Sequence, residues 1–162
     1  MAKTTVKLNL NFPKFTLQDD LLDIAQKIII TDIVSRMYAQ KDISGNSYNS
    51  LSEGTKKARN RKGQGFNVLL ATKQLSRSFK ASKFKKNSVR IQPTGSRSNS
   101  GIGNKRLSEI LQFEGVRSKA FGNRTFEFFG ISDEAERDAI AFEKIRVKKA
   151  IQRGGRRTIR SV

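Results

Sequence analysis

The chain has 162 residues, no Cys, His or Trp, and 33 Lys and Arg against 14 Asp and Glu, a formal charge of +19. Without Cys there are no disulfides, thiolate metal sites or cysteine nucleophiles, and without His there is no Ser-His-Asp triad, imidazole base or histidine ligand. A charge that large gathers polyanions and predicts strong salt dependence, while saying nothing about fold.

The length suits one domain, and 36% hydrophobic content with eleven Phe can build its core. Val6, Leu8, Leu10 and Phe12 alternate with Lys7, Asn9 and Asn11, the period of a half-buried strand, and Pro13 stops it. Thr16 can cap a helix with Asp19, Asp20 and Asp23 near its positive end. From Leu17 to about Ala39 apolar residues recur at helical spacing, through Leu21, Ile24, Ile28, Ile33 and Met37. Residues 44–67 read as a loop holding one short helix, from Ser52 to before Gly63. Thr72–Phe79 reads as a second, with Leu75 and Phe79 inward and Lys73, Arg77 and Lys80 outward.

A strand is expected over Ser88–Gln92, ended by Pro93, and then a flexible arm or hairpin tip over 93–105, marked by Gly95, Arg97, Gly101 and Gly103. A helix follows over Asn104–Phe113, with Gly115 as its stop. RTFEFFGI, residues 124–131, alternates as a strand. Ser132 caps a last helix whose apolar face runs through Ala139, Ile140, Phe142, Ile145, Val147, Ala150 and Ile151 to Gly154-Gly155. The sum is α+β: a small antiparallel sheet of three to four strands, packed by a long N-terminal and a C-terminal helix. One domain spans 1–153, followed by a basic tail over 154–162.

The basic residues are segregated. Residues 53–90 hold twelve Lys and Arg against Glu53 alone, residues 144–162 hold eight and no acid, and residues 1–43 nearly balance at six against five. Lys56, Lys57, Arg59, Arg61 and Lys62, with Arg153, Arg156, Arg157 and Arg160, are the candidates to face DNA or an acidic partner. Phe66, Phe79 and Phe84 are spaced as core residues, so base stacking is not expected and phosphate contact is. Asp19 and Asp23 share a helix face and could hold Mg²⁺, but acids complement a helix N-terminus, as Asp133, Glu134, Glu136 and Asp138 do at the last helix. GSRSNSGIGNK lacks the Gly-Lys-Ser/Thr ending of a phosphate loop. Glu143-Lys144 lacks a metal nuclease's strand-borne carboxylate. The expectation is no catalysis, no metal and no cofactor. The absence of an apolar leader or a long apolar run points to a cytoplasmic protein that is neither secreted nor membrane-spanning.

Four segments, in order, carry a resemblance. Tyr48, Leu51, Ser52 and Thr55 match a pattern aromatic-x-x-Leu-Ser-x-x-Thr, and Leu69, Thr72, Leu75 and Ser78 match Leu-x-x-Thr-Gly-x-Leu-x-x-Ser, with Lys73 where Gly is expected. Leu111-Gln112-Phe113-Glu114-Gly115 echoes His-Gln-Phe-x-Gly with Leu111 replacing His. RTFEFFGISDEAERDAI echoes an Arg-x-Phe-Leu-Gly-Leu-Ser-Asp segment that heads a last helix. Over residues 16–150 this order resembles the bacteriophage virion-morphogenesis proteins, which include tail-completion and neck components. The GSRSNSGIG loop stands where such proteins have a short connection. The resemblance implies a structural virion protein of the head–tail junction or tail-completion layer. It implies a ring of identical copies, six-fold as tails are, that docks on neck, portal-adaptor or tail-tube proteins around passing DNA. Its place is the virion, reached by assembly in the host cytoplasm. The rival reading is a free, sequence-nonspecific nucleic-acid-binding protein.

Overall fold

A computed structural model describes residues 17–85, 88–96, 101–118 and 122–155. The expected strand over 6–12 and tail residues 156–162 lie outside the described residues. Helix α1 (Leu17–Ile24) continues through a π-turn (Ala25–Ile29) into α2 (Ile30–Ala39), so the expected helix over 17–39 is one unbroken run. Its buried residues Ala25, Ile29, Ile33 and Met37 recur every fourth position. On a helix of 3.6 residues per turn that stripe drifts by about 40° per step. The wider i→i+5 turn, in which Ile30 N–H donates to Ala25 O, takes up the drift and keeps one face on the core. Gln40 ends the run in left-handed conformation (φ 58°), and the Gln40 and Lys41 N–H groups both donate to Arg36 O.

Helix α3 (Glu53–Arg61) starts where Ser52 accepts the Thr55 N–H on its hydroxyl oxygen. Strands β1 (Phe79–Lys83) and β2 (Val89–Pro93) form an antiparallel hairpin pairing Phe79 with Pro93 and Lys83 with Val89. Helix α4 (Asn104–Glu109) runs into a second π-turn (Ile110–Glu114), closed by Gly115 N–H donating to Ile110 O. A three-residue ribbon pairs β3 (Val116–Ser118) with β4 (Gly122–Arg124), and helix α5 (Asp133–Gly155) is the last described element. The fold mixes helix and sheet. Its four described strands stand as two separate two-stranded ribbons.

Three expectations change. Residues 72–79 are not a helix: 74–77 make a turn and Phe79 opens β1. The inward and outward residues are nevertheless as expected, because Leu75 and Phe79 are buried while Lys73, Arg77 and Lys80 are exposed. Lys73 takes φ 57°, which a helix forbids, and Ser76 and Ser78 turn their hydroxyls onto Lys73 O and Leu75 O. The segment 124–131 is a strand only through Arg124. Beyond it the chain leaves the ribbon, Phe128 N–H closing a tight turn onto Phe126 O at 2.8 Å, and bends at 129 and 130. Phe126 N–H donates to Leu111 O and Ile43 N–H to Glu127 O, while side chains from two helical segments meet Phe128 O, the Phe129 peptide and Gly130 O. Finally, the last helix does not bury its whole apolar stripe: Ile140, Ile145, Val147 and Ile151 are each more than two-fifths exposed.

The core joins Ile24, Ile29, Ile33 and Met37 of the first helices to Leu69, Leu70, Leu75, Phe79, Phe128 and Ala135. Phe128 is fully buried; Phe79 meets it edge-on at 6.4 Å between centroids and stacks on Phe129 at 5.8 Å.

Candidate interaction surface

The residues that carry the resemblance sit where the backbone is under constraint. Ser52 and Thr55 make the cap of α3, their hydroxyls 2.9 Å apart. Leu69 and Leu75 anchor a loop in the core, and Lys73, between them, holds a left-handed backbone that glycine adopts more readily. Gln112 reads the peptide of Phe129 twice, accepting its N–H at 3.0 Å and donating to its carbonyl at 3.2 Å. Gly115 has φ 77° and ψ 163°, a region nearly closed to other residues. Tyr48 packs edge-on against Phe126 at 5.4 Å, and its hydroxyl is buried without a hydrogen-bond partner. Burial first, then Asp42 and, least of all, Glu127 push that phenol well above its ordinary range, against an opposing pull from Arg36 that outweighs Glu127 alone.

A second clamp was invisible as a motif. Arg36, buried on α2, pairs with Asp32 at 2.9 Å and donates to Phe128 O at 3.1 Å and Gly130 O at 2.9 Å. Together Arg36 and Gln112 replace the sheet partners that segment 126–130 lacks. The one available signal was an Asp-Arg pair at i,i+4 inside an apolar stripe, beside Ile33 and Met37.

The described members of the candidate DNA- or acid-facing set differ in their surroundings. Lys57, Arg61 and Lys62 are exposed and make no ion pair among the described residues. Lys56 pairs with Glu53 at 2.7 Å. Arg59 turns onto the carbonyls of Gly65, Asn67 and Val68, fixing the loop after α3, and burial lowers the proton affinity of its guanidinium. The Arg153 side chain and Arg156, Arg157 and Arg160 lie outside the described residues.

The expected free arm is clasped at its base. Asn104 N–H donates to Gly95 O at 3.0 Å and its amide to Thr94 O at 2.8 Å, Gly95 sits at φ 84°, and Gly103 is the N-cap of α4. Gly101 is exposed between the clasp residues, and Arg97 falls outside the described residues. The acids of α1 are engaged by cations: Asp19 with Lys83, Asp20 with Arg146, and Asp23 with Lys27 and Arg146. No metal-ligand cluster forms among the described residues, and no described helix is long and apolar enough to cross a membrane.

Two further surface features escaped the sequence reading. Phe66 and Phe84 are half exposed rather than core, and the Arg90 guanidinium lies 3.6 Å over the Phe84 ring, with Lys85 at 5.5 Å. A hairpin tip puts residues 84 and 90 on one side, which spacing along the chain does not reveal. The other feature is a groove of about 850 Å³ between α1, β2 and α5, walled by Leu21, Ile24, Val89, Ile91, Ile140 and Val147. Lys144 and Lys148 stand at its rim. Comparison of the chain with protein-family models, with curated proteins and with solved structures finds no match in any of the three.

Proposed function

We propose that the chain is a structural protein of a tailed-phage virion, a subunit of the neck or tail-completion layer that forms a ring of identical copies around the path of DNA. The observation that carries this reading is Lys73. The resemblance expects glycine there, and residue 73 has φ 57° between two core leucines, so the backbone keeps the turn although the side chain has changed. The finer architecture, one sheet of three to four strands packed by the N-terminal and C-terminal helices, belongs to the same proposal. So do the partners: further copies, neighbouring neck, portal-adaptor or tail-tube proteins, and DNA met through phosphates.

A ring of cationic copies has a physical requirement. Each carries +19, so bare copies repel, and either a polyanion or screening salt must offset that repulsion. Light scattering coupled to size exclusion should therefore show larger assemblies at 0.5 M salt, or with duplex DNA, than at low salt (a Debye length of roughly 4 Å against about 10 Å). In phage lacking the gene, electron microscopy should find separate filled heads and finished tails. Normal joined particles without the protein would end the reading. One observation favours the rival, a free nucleic-acid binder: the Arg90–Phe84 stack at the hairpin tip offers a ring face to an unpaired base. The rival expects monomers or dimers at every salt concentration, bound to duplex through the basic runs, with single strands gaining affinity only where the Arg90–Phe84 stack is used.

A further inference from the structure

The groove beside β2 runs along an open sheet edge, and the parity of the hairpin fixes what kind of segment fits it. Thr94 N–H donates to Ser78 O at 2.8 Å and Phe84 N–H to Ser88 O at 3.1 Å, so both ends of the ladder are bonded pairs. Antiparallel pairs alternate between bonded and unbonded. In this register Lys80–Gln92 and Ser82–Arg90 are bonded, and the backbone groups of Val89 and Ile91 point away from β1. No described strand lies on that side. Pro93, which has no N–H to give, also sits at an unbonded position relative to β1. The side chains of Val89 and Ile91 meanwhile line the groove. A two-stranded hairpin alone is marginal in water, and a third strand is the usual remedy.

We propose that the chain's own residues 6–12 occupy this groove, adding a third strand to the outer edge of β2. Their alternation supplies apolar side chains at 6, 8, 10 and 12 for a surface walled by leucine, isoleucine and valine. The start of α1 is tied to the hairpin tip: Gln18 donates to Lys85 O at 2.8 Å and Ser88 O at 3.2 Å, and Lys83 pairs with Asp19 at 2.5 Å. Only residues 13–16 separate Phe12 from Leu17, at most about 17 Å of extended chain. A segment entering α1 at the tip runs toward the tip, whereas β2 runs away from it, so the two are antiparallel. Pairing Phe12 with Val89 and Leu10 with Ile91 then puts Leu8 beside Pro93, with Asn9 and Asn11 facing out. The short connector selects the chain's own segment over a second copy's. This inference stands whether or not the virion reading does.

The chain has no Cys, so an engineered pair reports cleanly. In the proposed register Asn11 and Arg90 form an outward-facing unbonded pair, the geometry closest to that of a disulfide. Asn11→Cys with Arg90→Cys should oxidise to an intrachain disulfide in most molecules, while Asn11→Cys with Lys80→Cys should not. Disulfide-linked dimers would mean that another copy supplies the strand, and absence of any cross-link would mean that something else covers the edge; either overturns the proposal. Hydrogen exchange gives a second reading. The Val89 and Ile91 amides should exchange at least tenfold more slowly in the unaltered chain than in a Leu8→Asp/Leu10→Asp variant. Equal rates would overturn the proposal as well.

Discussion

Lys73 shows how a single backbone angle constrains a side chain. An L-residue in the left-handed region costs about 1–2 kcal/mol, and lysine has no local hydrogen bond of the Asn or Asp kind to offset it. Lys73→Gly should be neutral to stabilising by up to about 1 kcal/mol, the relief being partly cancelled by glycine's freedom in the unfolded chain. Lys73→Val should destabilise by roughly 1–2 kcal/mol, since a β-branched residue resists positive φ most. Urea denaturation of both checks it, and two shifts of the same sign would sink the assignment. Tyr48 makes the complementary case. Its hydroxyl is buried and unpartnered, so Tyr48→Phe should leave stability unchanged or raise it by up to about 1 kcal/mol. The raised phenol also sets a pH window. The folded state keeps the proton that the unfolded chain surrenders near pH 10, so the associated stability is whole below pH 10 and is lost as pH rises beyond it. In a Tyr38→Phe background, phenolate absorbance should appear only with alkaline unfolding. In Tyr38→Phe/Tyr48→Phe the alkaline loss of stability should be smaller.

At the scale of elements, the run 126–130 is an irregular segment outside any sheet, held by Arg36 from one helix and Gln112 from another. Removing one member of a buried pair strands the other, so Arg36→Met should cost about 3–5 kcal/mol, read by chemical denaturation. Asp32→Leu with Arg36→Met should regain only part of that, because Phe128 O and Gly130 O would still want donors. Full recovery would show that the carbonyl bonds contribute nothing. This clamp also marks how far the sequence could be read. Helices 17–39 and the one opening at Ser132, with their apolar stripes, and the short helix 53–61, with its Ser52 cap, are legible because periodicity and capping are local physics. The inward face of 69–79 is legible for the same reason, although its helix is not there. What was hidden is set by tertiary contact. Phe126 and Phe128 alternate as in a strand whether a neighbouring strand or an arginine satisfies the backbone, and Ile145 and Ile151 look like core residues although each is more than half exposed on α5. Of the candidate cations, composition could place Lys57 and Arg61 on a basic helix. It could not say that Arg59, two residues along, would be spent on three carbonyls of the following loop.

For the whole molecule the question is whether the surplus charge acts as a cloud or as a surface. The described structure separates cations that already have partners from those that do not: Lys27, Lys56 and Lys83 face carboxylates, whereas Lys57, Arg61 and Lys62 face solvent along one end of α3. If phosphate contact runs through α3, changing its three open cations to Gln should weaken duplex binding evenly across sequences. It should also flatten the plot of log affinity against log salt by nearly three units, since each neutralised phosphate releases about 0.9 of a counterion. Changing Lys27, Lys56 and Lys83 to Gln lowers the net charge equally but should flatten it by about one unit or less, because those ammonium groups have carboxylates beside them. Fluorescence anisotropy with a 20-base-pair duplex between 50 and 300 mM salt would measure both slopes. Equal losses in the two variants would mean that DNA senses only the sum of charges, and the α3 surface would then have no special claim to it.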